Sequence, residues 1–192
     1  MKIPGPKAAS VTKDGADDGF VLRPGWSSEV TPAGDTRIAA SVPTEDLPRV
    51  HAALVRALSP PLGVLYRQKI DRKAPRPEGS PPRDFVALDV PPDRLLEALD
   101  ACAALVYGDA RCEVWIRGGL GEQLVLDEDG LLFCYPDDPA FRDALAATGV
   151  PAEDVETVAE RDYVKHWFHA EADALEEAFV RTLRLVQVQA RG

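Results

Sequence analysis

Two segments of this chain repeat one pattern, in which a short apolar strand leads through a Val-Pro pair into an amphipathic helix and then into a second strand. The pairs Val42-Pro43 and Val90-Pro91 introduce the two helices, since proline is well tolerated in the first turn of a helix. At one constant spacing, apolar residues of the first helix match residues of the second helix, and the strands that follow the two helices match in which of their faces is apolar. The repeat therefore limits the central part of the chain to two successive βαβ units.

Hydrophobic spacing supports each element of the repeat. Leu47, Leu54 and Leu58 recur at helical spacing, whereas Leu62 and Tyr66 belong to an alternating strand pattern. The predicted elements are strand 37–42, helix 47–58, strand 62–70, strand 84–90, helix 91–108 and strand 111–117. The order β-α-β-β-α-β is that of ferredoxin-like folds, so we predict an α+β fold with a ferredoxin-like βαββαβ core over residues 36–118.

The segments on either side of this core differ in composition. Residues 1–35 are rich in Gly and Pro and predict an N-terminal arm with one short strand at 19–26. Residues 119–192 predict an acidic extension that forms one continuous domain with the core. This extension comprises a β-hairpin at 122–136 with its turn at Asp129-Gly130, a short helix at 137–149 and a long amphipathic helix from 162 to 189. The apolar stripe predicted for the long helix consists of Val164, Phe168, Ala172, Leu175, Phe179, Leu183 and Val186.

Composition excludes several classes of protein. The chain has 192 residues, of which 45% are hydrophobic, so it can bury a core. Three cysteines are too few for a disulfide scaffold, and no apolar run is long enough to cross a bilayer. The net charge of −10 disfavours binding to nucleic acid. The first residues lack the apolar stretch of a secretory signal, so we expect a cytoplasmic protein without a cofactor.

One candidate metal site lies in the predicted last helix. His166, His169 and Asp173 stand at positions i, i+3 and i+7, which share one side of a helix. Two imidazoles and a carboxylate are the ligands of a facial metal site. The same residues are equally compatible with surface histidines beside acids, because HxxH is an unspecific motif.

One candidate anion site lies in the Pro-rich loop after the strand at 62–70. Clustered Lys and Arg can hold phosphate or an acidic partner, but a solvated loop has the same composition. The basic residues concerned are Arg67, Lys69, Arg72, Lys73 and Arg76.

Most of the excess acid lies in the second half of the chain, where it would attract a basic protein. The acids cluster at the hairpin turn, after the returning strand and before the last helix. The candidate partner-binding residues are Asp127, Glu128, Asp129, Asp137, Asp138, Glu153, Asp154 and Glu156. Solubility alone would also explain an acidic surface.

No complete catalytic motif is present, so the sequence favours a non-catalytic binding module that docks on a basic partner protein. In size, acidity and fold class the chain is similar to bacterial immunity proteins and antitoxin-type inhibitors, a similarity of composition that rests on no motif. Two alternatives stay open: a metal-dependent enzyme with a site around His166, His169 and Asp173, and a regulator that senses a small ligand. The sequence leaves the oligomeric state open.

Overall fold

The computed structural model describes residues 2–71, 80–166 and 169–188. Within these residues the chain is a mixed α+β protein with five α-helices, one large antiparallel sheet and a separate two-stranded ribbon. None of the helices in the described ranges has the length and apolar character needed to cross a membrane.

The repeat region follows the predicted order of elements closely. The strands are β1 (Ala8–Ser10), β2 (Gly25–Val30), β3 (Thr36–Ser41), β4 (Leu62–Gln68), β5 (Arg83–Val90), β6 (Cys112–Arg117), β7 (Gln123–Leu126), β8 (Leu132–Tyr135), β9 (Tyr163–Lys165) and β10 (Val186–Val188). The helices are α1 (Leu47–Ala57), α2 (Pro92–Ala101), α3 (Ala103–Gly108), α4 (Pro139–Ala147) and α5 (Ala170–Leu183). The predicted second helix is thus divided in two at Cys102.

The large sheet has the strand order β10-β5-β4-β6-β7-β8-β3-β2. In the second βαβ unit β4 lies between β5 and β6, as a split βαβ unit requires. In the first unit three strands, β6, β7 and β8, separate β3 from β4. The ferredoxin-like interleaving of the two units is therefore not confirmed. The hairpin β7–β8 pairs with β6 on one side and with β3 on the other, and so separates β3 from the other three strands of the repeat.

The prediction of one long helix from 162 to 189 is wrong in its extent. It contains β9, then α5 and then β10. Val164 pairs with Ala9, and Val186 pairs with Val86, so both valines that were placed on the helical stripe belong to strands. Arg184 ends α5 in the left-handed conformation, with φ of 56°. Of the predicted stripe, Ala172, Phe179 and Leu183 are buried, Leu175 is partly buried against the core, and Phe168 lies outside the described residues.

The N-terminal segment contributes two strands. The strand predicted at 19–26 is shifted to β2, which forms one edge of the large sheet, while β1 pairs with β9. Lys7 fastens this segment to the body, since its Nζ donates to the carbonyl oxygens of Cys112 and Asp127, both at 2.7 Å. Only 1% of Lys7 is exposed.

All five helices contribute to one hydrophobic core on a single face of the large sheet. Because side chains alternate along a strand, every second residue of the central strands points into this core. The central strand residues on this inner face are Ile38, Ala40, Leu62, Val64, Tyr66, Cys112, Val114, Ile116, Leu124, Leu126, Leu132 and Cys134. The residues that alternate with these along each strand point to the opposite face, which we call the open face.

Candidate functional site

An apolar row of directly opposed residues crosses the open face from β10 to β3. The pairing registers join each residue to the next one across the sheet, and we call this set the open row. Its members, in spatial order, are Val186, Val86, Leu65, Trp115, Val125, Phe133 and Ala39. Directly opposed residues in an antiparallel sheet point to the same face, so these side chains form a continuous stripe.

Polar residues line both sides of the open row. On one side, two positions along each strand, lie Arg67, Asp84 and Glu113. On the other side most of the corresponding positions are polar or aromatic, and they include Arg117, Gln123, Tyr135 and Arg37. The open face is thus apolar along its middle and mostly polar along both margins, with the exposed Leu88 and Val188 as apolar margin residues on β5 and β10.

Two arginines from these margins stack on aromatic rings of the open face. The guanidinium of Arg37 lies 4.2 Å from the ring centre of Phe133, and that of Arg67 lies 5.2 Å from the ring centre of Trp115. Arg67 is held in place by Asp84, with N–O distances of 2.9 and 3.0 Å. Side chains that are already fixed lose little conformational entropy when a partner binds.

The open row is accessible along most of its length. Trp115, Phe133 and Leu65 are half-buried, and Val186 is 67% exposed. Val125 is only 4% exposed although it takes no part in the helix-packed core, because its neighbours in the row flank it on both sides.

A groove of about 820 Å³ lies on the same face toward β3. Its lining includes Trp115, Tyr135 and Arg37 as well as the turn between β2 and β3. Trp, Tyr and Arg are the residues most enriched at the energetic centres of protein interfaces. The open face therefore has the chemical character of a docking surface.

The acids at the hairpin turn are held by contacts within the chain. The carboxylate of Glu128 lies 3.0 Å from Lys69 and 3.1 Å from Lys165, and that of Asp129 lies 3.0 Å from Lys165. Burial raises the pKa of Glu128, but hydrogen bonds with its neighbours outweigh this effect and leave the pKa well below its usual range. These contacts stabilise the turn, and a role in partner binding stays a prediction.

Asp127 is partly buried in the same turn. Its Oδ1 accepts hydrogen bonds from the backbone N–H groups of Asp129 and Leu131. Burial raises the pKa of Asp127 to about 6, even though these hydrogen bonds and the nearby Lys7 oppose the shift. A carboxyl group held in this way contributes to the fold of the turn, and a role in partner binding stays a prediction.

The remaining predicted acids fall into two groups. Asp137 pairs with Arg142, Asp138 caps α4 through the N–H of Ala140 at 2.8 Å, and Glu156 pairs with Arg161 at 2.7 Å. Glu153 and Asp154 are exposed, and among the described residues no cation lies within ion-pair distance of either carboxylate. These two are the members of the set best placed to attract a basic partner.

The predicted anion site is only partly within the described residues, since Arg72, Lys73 and Arg76 lie outside them. Arg67 pairs with Asp84, and Lys69 pairs with Glu113 at 2.9 Å. The charges of the two described cations are therefore compensated by neighbouring carboxylates.

The predicted metal ligands do not share a helix. His166 follows β9, where its Nδ1 lies 3.0 Å from the carbonyl oxygen of Pro6, and His169 immediately precedes α5. Asp173 lies on α5 and pairs with Arg111 at 2.7 Å. In the parts of the chain that the structure describes, no group of three or more His, Cys, Asp and Glu side chains is arranged to hold a metal ion.

Arg111 lies at the centre of a buried polar cluster that the sequence did not reveal. Its guanidinium lies 2.8 Å from Asp109, which is fully buried, and 3.8 Å from Glu176 on α5. Glu176 also accepts hydrogen bonds from Tyr66 and Gln68 on β4. The cluster attaches α5 to the sheet, and it faces the core side rather than the open face.

The sequence identifies one aromatic residue of the open face and misses two. Because Cys112, Val114 and Ile116 share one side of the strand at 111–117, the alternation predicts that Trp115 points outward, and the structure confirms this. Phe85, the aromatic candidate of the strand at 84–90, packs against Tyr66 on the inner side. Phe133 and Tyr135 could have been found from alternation, because Leu132 and Cys134 occupy the buried positions of the same strand.

Comparisons with protein-family models, with curated protein sequences and with solved structures found no match for this chain.

Proposed function

We propose that this chain is a non-catalytic binding protein that docks a basic protein partner on its open face. The observation that carries the proposal is the open row, an apolar stripe with Trp115 at its centre, Phe133 two strands further along and arginines stacked on both rings. Exposed apolar stripes with polar margins mark interaction sites in soluble proteins.

Charge supports a basic partner. The chain carries a net charge of −10, and Glu153 and Asp154 are exposed in the segment after α4. Such a field accelerates encounter with a basic protein, while the buried apolar contacts determine how long the complex lasts. An inhibitor of the immunity type is one protein that would work in this way, since it acts by occupying its partner rather than by chemistry.

The test begins with identification of a partner by affinity purification at low salt and continues with both purified proteins. Trp115→Ala should weaken the measured affinity at least about tenfold, as expected for a residue at an energetic centre. Val21→Ala is the matched control, since Val21 is 78% exposed but lies in the N-terminal segment, away from the sheet. Parental affinity in Trp115→Ala would contradict the proposal.

Charge is tested separately on the same reconstituted pair. Reversal of Glu153 and Asp154 to lysine should slow association at low salt and have little effect near 0.15 M ionic strength, where charges are screened beyond about 8 Å. An association rate that does not change at low salt would exclude these acids from the encounter.

A further inference from the structure

The dimensions of the open face limit which element of a partner can bind there. The polar margins lie two residues from the open row on either side, and a strand rises about 3.3 Å per residue, so the two margins are about 13 Å apart. An α-helix with its side chains is about 10–12 Å wide and fits between them. The open row spans seven strands at about 4.8 Å spacing, or about 29 Å, which is the length of a helix of about 19 residues.

A second sheet would fit this surface less well. Sheet-on-sheet packing requires several apolar rows on each face, whereas the open face offers one. A second copy of this chain would therefore bury the charged margins, including Arg67, Asp84 and Glu113, at a high cost in desolvation. The like charge of two chains of −10 each opposes the same arrangement.

An extended segment is also disfavoured by its own backbone. A strand laid over the side chains of the open face could not pair with the strands below, and its N–H and C=O groups would lose water without gaining partners. A helix satisfies these groups internally and presents apolar residues along one side only.

We propose that the open row receives one amphipathic α-helix of a basic partner protein, laid across the strands with lysine or arginine along its flanks. This inference rests on the proposed function. The apolar side of the helix contacts Leu65, Trp115 and Phe133. Its basic flanks compete for the carboxylates of Asp84 and Glu29, which pair with Arg67 and Arg37 in the free chain. Long basic side chains can extend from such flanks to acids at the rim.

The test uses three synthetic peptides of about 19 residues, labelled for fluorescence anisotropy. One has leucine along one helical side and lysine on its flanks, the second has the same composition in scrambled order, and the third carries glutamate in place of lysine. The lysine peptide should bind at least about tenfold more tightly than either of the others. It should gain helical circular dichroism when bound, since helices this short are marginal in free solution.

Variants then locate the binding site of the peptide. Trp115→Ala and Phe133→Ala should each weaken binding of the lysine peptide at least about tenfold, while Val21→Ala should leave it unchanged. Each variant is first checked by urea unfolding, and Phe133→Ala alone decides if Trp115→Ala does not fold. Equal binding of the scrambled peptide, or unchanged binding by Phe133→Ala, would overturn the helix proposal.

The two proposals fail in different ways. A natural partner that loses affinity in Trp115→Ala, together with no binding of the lysine peptide, would overturn the helix and leave the docking face standing. A natural partner that binds Trp115→Ala at parental affinity would overturn both.

Discussion

The two faces of the large sheet are built from the same strands, but the helices pack on only one of them. In β6, Ile116 points inward and is fully buried by the helices, whereas its neighbour Trp115 points outward and is half-buried. The inner face is apolar across its central strands, and the continuous apolar residues of the open face are confined to one row. The inner face is covered by the helices of the chain, and under the proposal above the open row is the one that a partner covers.

Ionic groups differ between the faces in the same way. Arg111 is 1% exposed and meets Asp109 and Asp173, while the Arg67 side chain on the open face is 30% exposed and meets Asp84. Removal of one partner from a buried pair leaves an uncompensated charge in a medium of low polarity, and a half-exposed pair can be replaced by water. An arginine–aspartate ion pair therefore contributes different amounts to the free energy of unfolding on the two faces.

The largest expected effect comes from this difference between the ion pairs. Arg111→Met should lower the free energy of unfolding by about 3–5 kcal/mol, because Asp109 stays buried without its cation. Arg67→Met, its match on the open face, should cost less than about 1 kcal/mol. Urea unfolding followed by circular dichroism measures both, and equal losses would mean that the two faces do not differ in polarity as described.

The second largest effect is expected from truncation of two neighbouring residues of β6 that point to opposite faces. Ile116→Ala should lower the free energy of unfolding by about 2–5 kcal/mol, since it leaves a cavity in the helix-packed core. Trp115→Ala should cost clearly less, because water can occupy the space it leaves on the open face. If Trp115→Ala proved the more damaging to stability, Trp115 would belong to the core and not to a docking surface.

A pH effect of intermediate size is expected from the hairpin turn. The pKa of Asp127 is raised to about 6 by burial, from an ordinary value of 3.8, so ionisation of this group opposes folding. Stability should therefore decline as pH rises from about 4 to 6, and the full cost should remain above pH 6. Asp127→Asn should remove this cost and stabilise the chain by up to about 3 kcal/mol at pH 7 but not at pH 4.

The control for this effect is its neighbour Glu128, whose pKa is lowered and whose contribution has the opposite sign. Glu128→Gln should destabilise the chain at pH 7, and the loss should shrink as pH falls below about 4.5. Thermal unfolding at a series of pH values measures both variants, and parallel pH profiles for the two would contradict the assignment.

The smallest effect separates acids that support the fold from acids on the surface. Asp138→Ala should cost about 1 kcal/mol, since Asp138 caps the first turn of α4. Asp154→Ala should stay within about 0.5 kcal/mol of the parent, because Asp154 is exposed. A cost at Asp154 as large as that at Asp138 would show that this acid has a structural role as well.

Local patterns were sufficient to predict most elements of the repeat region. The stripe that begins at Leu47 indicates which side of α1 is buried, and the alternation from Leu62 to Tyr66 does the same for β4. The structure confirms both. The hairpin at Asp129-Gly130 is confirmed on the same basis, because its turn chemistry is local.

The order of strands could not be derived in this way. The sequence of β3 does not indicate that this strand pairs with β8, since any strand with the same alternation would satisfy its hydrogen bonds. The last segment failed for a related reason, because Val164 and Val186 have helical spacing by coincidence and are β-branched residues of strands. The open row was missed because it exists only after the strands are placed side by side.

The position of the β7–β8 hairpin has a consequence for how the chain reaches this structure during its synthesis. β3 leaves the ribosome well before β8, the strand with which it pairs toward the middle of the sheet. β4, β5, β6 and β7 all emerge in between. The edge of β3 that later pairs with β8 therefore stays unpaired until most of the chain has been made. Pairings between such distant segments form slowly and leave strands open to other chains. A cell that makes this protein quickly would need to shield its first hairpin until the eighth strand arrives.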